Sequence, residues 1–129
     1  MVVRWLERRI LSENRDNGER LKVLPSLTKQ DALWTQNVLL DALADSNEEI
    51  RNYIVQQLSQ KENLDLNLLY IRLSKPPWFI KTEILKILGI LKNPRSAQHI
   101  EAVLNESNDE GLKTAAEKSL NGISTLKLL

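Results

Sequence analysis

Asp45-Ser46-Asn47-Glu48-Glu49-Ile50-Arg51-Asn52-Tyr53-Ile54-Val55-Gln56-Gln57-Leu58 is the stretch whose reading decides the fold, because the chain repeats it. It recurs as Lys75-Pro76-Pro77-Trp78-Phe79-Ile80-Lys81-Thr82-Glu83-Ile84-Leu85-Lys86-Ile87-Leu88 and, on the same plan, from Ser107 to Leu120. Each copy sets an apolar residue before a basic one: Ile50-Arg51, Ile80-Lys81, Leu112-Lys113. Apolar residues follow four and eight positions on, at Ile54 and Leu58, Ile84 and Leu88, Ala116 and Leu120. At about 3.6 residues per turn such a series lies on one face of an α-helix.

Upstream of each copy a second apolar helix is predicted, ending in Leu39-x-x-Ala42-Leu43, Leu69-x-x-Arg72-Leu73 and Ile100-x-x-Val103-Leu104. Leu43, Leu73 and Leu104 follow one another at intervals of 30 and 31 residues, so the unit is a helical hairpin of that length. One such hairpin cannot bury its apolar face alone; stacked neighbours make a continuous core. The expected fold is therefore all-α, a superhelix (solenoid) of three good hairpins and one degenerate one. A single domain over 1–129 is expected, with units at 1–29, 31–60, 63–92 and 94–123 and an apolar tail at 124–129.

The degenerate unit is the first. Asp16 to Lys22 reproduces the step from Asp45 to Arg51, Leu21 stands for Ile50, and Val2 to Leu11 supplies the first helix. Pro25 falls at the place of Ile54 and predicts a short or bent helix, because proline lacks the amide donor. Ser46-x-x-Glu49 and Ser107-x-x-Glu110 read as capping boxes, Asn93-Pro94 and Ser74 before Pro76-Pro77 as helix starts, and Asn121-Gly122 as a stop.

These paired-helix units resemble HEAT repeats, in particular the short bacterial type of phycobilisome lyase-like proteins. The resemblance runs from about Leu33 to Ile123 and is carried by Asp45 six residues before Arg51, by Ile50-Arg51 and by Leu88-Gly89. Lys75 and Ser107 replace the aspartate in the later units, so the ladder of acid-to-base pairs is incomplete. The resemblance implies a right-handed solenoid whose second helices line the concave side, and a role as a binding scaffold. It implies no particular ligand.

Composition narrows the function classes. Eighteen basic residues stand against seventeen acidic ones, a balance of +1, which excludes a strongly basic nucleic-acid arm. The absence of cysteine excludes disulfides, zinc ribbons and a thiol nucleophile. The charged start and the lack of a long apolar run predict a cytoplasmic chain with no membrane segment. No cofactor is expected. The single histidine, His99, reads as a partly buried, hydrogen-bonded side chain, since a metal site needs two or three more ligands. Carboxylate pairs Glu48-Glu49 and Asp109-Glu110 sit where they complement a helix dipole.

The candidate partner-binding residues are Arg51, Lys81, Lys113, Lys75, Trp78 and Phe79. Stacking would align Arg51, Lys81 and Lys113 into a basic row, with Lys22 as a fainter fourth, unless each simply pairs with a loop carboxylate such as Asp16, Asp45 or Asp109. Trp78-Phe79 replaces Glu48-Glu49 at a helix start; the pair either packs inward or forms an aromatic anchor flanked by Lys75 and Lys81. Trp5 and Trp34 read as core residues. Charge alternates along the chain: +3 over 1–30, −4 over 31–60, +3 over 61–92 and −1 over 93–129. A nucleic-acid track would be interrupted by the acidic unit, so a protein or peptide partner fits better. The reading is a non-catalytic scaffold for protein interaction through the concave face. A nucleic-acid module using the basic row and the aromatics is the alternative, and an accessory domain of an enzyme such as a lyase is a third reading. The tail, Ile123 to Leu129, either folds back over the last hairpin or supports weak self-association of an otherwise monomeric chain.

Overall fold

The computed structural model describes residues 17–28, 33–62, 64–75 and 78–127. The expected helix over Val2 to Leu11, Trp5, Asp16, Pro76-Pro77 and the side chains of Trp34 and Trp78 lie outside the described residues. The described residues form α1 (Asn17–Thr28), α2 (Leu33–Asp41), α3 (Glu48–Gln60), α4 (Leu66–Leu73), α5 (Trp78–Leu91), α6 (Ala97–Glu106) and α7 (Glu110–Lys127). Tight 3-10 turns at Ala42–Ala44 and Pro94–Ser96 complete them, and no strand occurs among the described residues. The all-α, helical-repeat class read from the sequence is the class observed. The chain divides into two compact units, Met1–Leu64 and Asp65–Leu129.

In the first unit α1 packs on α2 and α3. The period-derived face is the buried one: Ile50, Ile54 and Leu58 of α3 are buried, as are Leu39, Leu40 and Leu43, and α3 packs on the turn that carries Leu43. Helix α1 is not cut short by Pro25 but runs on to Thr28. Pro25 lies on the exposed side, where solvent can serve the carbonyl that loses its donor. The buried leucine of α1 is Leu24, while Leu21 is half-buried.

Two helix starts are set by side chains one or two residues beyond the serines expected. Asn47, not Ser46, caps α3, its Oδ1 accepting from the amides of Glu49 at 2.8 Å and Ile50 at 3.3 Å. Asp109 does the same for α7, accepting from the Leu112 amide at 2.8 Å, while Ser107 accepts from the Asp109 amide at 3.0 Å. Both caps stand three residues before the apolar residue of the repeat. The caps belong to the repeat; the capping boxes do not form, because each helix begins later than the serines require. Asn93 caps as expected, with Pro94 following it.

In the second unit α5 packs on α4 and on α7, and α6 packs on α7 and α4. Ile80, Ile84 and Leu88 of α5 and Leu112 and Ala116 of α7 are buried as the period requires, with Leu120 half-buried. Asn121-Gly122 is not a stop: α7 continues through it to Lys127, and tail residues 124–127 prolong that helix instead of folding back. Gly122 serves a crossing. A Cβ built on it would stand 3.0 Å from the Gly89 carbonyl oxygen, and one built on Gly89 would stand 3.2 Å from the Ser119 Cα. Ser119 Oγ donates to the Leu85 carbonyl at 2.8 Å within the same contact, so two glycines and a serine let the helix backbones approach closely.

Helix α5 ends at Leu91, and Lys92 takes φ 54°, the left-handed position that a helix C-terminus often gives to glycine. Its amide still donates to the Leu88 carbonyl at 3.1 Å. A Cβ is disfavoured there, so Lys92→Gly is expected to stabilise the second unit by about 1 kcal/mol. Urea denaturation followed by circular dichroism measures this, and an unchanged or lowered midpoint would contradict it.

Candidate partner-binding site

Arg51 occupies the first turn of α3 and is half-buried. Its guanidinium donates from Nη1 to the backbone carbonyl of Asp45 at 2.7 Å, bracing the loop that precedes the helix. The Asp45 carboxylate is held instead by Arg20, whose Nε and Nη2 reach Oδ2 and Oδ1 at 2.7 and 3.0 Å. Oδ1 also accepts from the Asn47 amide at 2.9 Å. The six-residue step from Asp45 to Arg51 is therefore a basic side chain on a carbonyl, with the acid turned to an arginine 25 residues earlier. Arg20 was not among the residues singled out from the sequence, and no local spacing marks it.

Lys81 and Lys113 sit at the equivalent repeat position on α5 and α7, which pack directly on one another. Both are half-buried, and the side chain of neither has a hydrogen bond or ion pair among the described residues. Asp109, the acid offered to Lys113 by sequence, spends its carboxylate on the helix cap. Phe79 is 47% exposed at the start of α5, and Lys75 is exposed in the turn after α4. Phe79 thus does not pack inward.

Lys81 opens onto a cleft of about 510 Å³ within the second unit. Leu73, Val103 and Leu112 give it apolar walls where α4 and α6 end and α7 begins. Glu106 and Asp109 stand on the same lining. Tyr70 and His99 complete it with parallel rings, 3.8 Å between centroids and 10° between planes. Tyr70 is fixed in turn by the 2.8 Å contact of its hydroxyl with the buried Ser96 Oγ. His99 is half-buried as expected, yet ring stacking rather than a hydrogen bond holds it among the described residues. The stack was not legible in sequence, since Tyr70 and His99 lie on different helices. Among the described residues no group of three or more His, Asp or Glu side chains is placed to hold a metal ion, and no helix is long and apolar enough to cross a membrane.

No curated protein and no solved structure matches the chain significantly. A family model described as HEAT repeats does match, over residues 36–121, which spans both units and every helix from α3 to α6. The matched range contains all three copies of the repeat. The chain belongs to the HEAT-repeat family.

Proposed function

We propose that this chain is a non-catalytic scaffold that binds another protein, using in its second unit the surface around Lys81, Lys113 and Phe79. HEAT repeats generally serve as scaffolds for protein interactions. The observation that supports this surface is Lys81: a half-buried side chain with no partner among the described residues, opening onto a cleft with apolar walls. A lysine without an ion pair of its own is available to an incoming carboxylate. An exposed phenylalanine on the same helix supplies the kind of aromatic anchor that dominates interfaces.

Carboxylates on the cleft, at Glu106 and Asp109, would repel a phosphate backbone and favour a polypeptide. The test is capture of proteins from cell lysate on the immobilised full chain, with and without nuclease, at increasing salt. A protein retained after nuclease treatment and lost with the Lys81→Glu/Phe79→Ala variant is expected. Retention that nuclease abolishes, together with DNA or RNA affinity falling steeply with salt, would replace this reading by the nucleic-acid one.

A further inference from the structure

We propose that the cleft of the second unit takes an extended peptide segment of the partner in which an apolar residue is flanked by one acidic and one basic residue. This deepens the scaffold reading and rests on it. Lys81 and Glu106 both line the cleft, and the side chain of neither has a hydrogen bond or ion pair among the described residues. They offer one charge of each sign to an incoming chain. Asp109, the other carboxylate, gives Oδ1 to the Leu112 amide at 2.8 Å but keeps its charge, so the lining holds two acids, of which the Glu106 side chain alone has no hydrogen bond among the described residues. The same lining includes Leu73, Val103 and Leu112, whose walls can remove an aliphatic side chain from water.

Charge complementarity selects against the other occupants. A purely acidic segment would meet Glu106 and a purely basic one would meet Lys81, so each would set like charges together. The Tyr70–His99 stack adds a stiff planar wall, held by the Tyr70 contact with Ser96, so little ordering is needed when a ligand arrives. The cleft volume of about 510 Å³ suits a few side chains.

The test is fluorescence polarisation of the full chain with five dye-labelled peptides, identical except for cores of Glu-Leu-Lys, Lys-Leu-Glu, Glu-Leu-Glu, Lys-Leu-Lys and Ser-Leu-Ser. One of the mixed-charge peptides is expected to bind about tenfold or more tightly than the like-charged ones. Lys81→Glu should move the preference to Lys-Leu-Lys, and Glu106→Lys should move it to Glu-Leu-Glu, with circular dichroism showing both variants folded. Equal affinity for all five peptides, no binding of any, or a preference that neither variant moves would overturn the proposal. So would sedimentation showing a self-associated chain that either variant dissociates, because a second copy would then be the occupant. If a protein that the Lys81→Glu/Phe79→Ala variant loses is still captured from lysate by the Glu106→Lys variant, the scaffold reading stands and the cleft proposal alone falls.

Discussion

Replacing Arg20 by alanine is expected to cost the first unit about 3–5 kcal/mol, the toll of stranding a buried carboxylate without its counter-charge. Arg20 and Asp45 are each 8% exposed at the side chain, so water cannot take over the lost bonds. The geometry is the two-pronged one that suits arginine and not lysine, with Nε and Nη2 on separate oxygens. Arg20→Lys should therefore recover only part of the loss. The double variant Arg20→Met/Asp45→Asn removes both charges while keeping an acceptor for the Asn47 amide, and it should be more stable than Arg20→Ala. Chemical denaturation of the four proteins decides the matter. A loss below about 1 kcal/mol for Arg20→Ala would mean that the pair behaves as a solvated surface bridge.

Gly122→Leu should destabilise the second unit by about 3 kcal/mol, at the upper end of what overpacking costs. Its side chain would have to enter the space taken by the Gly89 carbonyl, 3.0 Å from where its Cβ would stand, and a helix carbonyl cannot swing aside without moving α5. Helix propensity acts the other way, by about 1 kcal/mol for glycine to alanine. Gly122→Ala is consequently expected to fall between wild type and Gly122→Leu. Thermal melts and hydrogen exchange report it: protection should drop in α5 and α7. If Gly122→Leu melted at or above the wild-type temperature, the close crossing of the two helices would be ruled out.

The helix faces were legible because they rest on neighbours three and four residues apart. Ile50, Ile54 and Leu58 announce a buried stripe whatever they pack against. Helix ends were less legible. Ser46 and Asn47 both carry acceptors able to cap, and only the backbone path shows that Asn47 is the one in place. Gly122 was misread for a similar reason: a glycine after asparagine has the composition of a helix end, while the carbonyl of Gly89 that it accommodates is 33 residues away and invisible to any local rule.

The candidate site was legible in part. The recurrence of Arg51, Lys81 and Lys113 is a property of the repeat, but their chemical states differ. Arg51 is spent on the Asp45 carbonyl, whereas Lys81 and Lys113 make no such bond among the described residues. Nothing in the recurrence foretells this, since it depends on where Asp45 and Asp109 direct their carboxylates. Repeat length, helical class and the identity of the buried face thus follow from local periodicity, which any chain of this pattern must obey on burying its apolar residues. Which acid answers which base, and which side chains share a cleft, was left to packing. Arg20 with Asp45, Tyr70 with Ser96 and Ser119 with Leu85 stand 25, 26 and 34 residues apart, and only close packing of the helices brings such distant groups within hydrogen-bond reach.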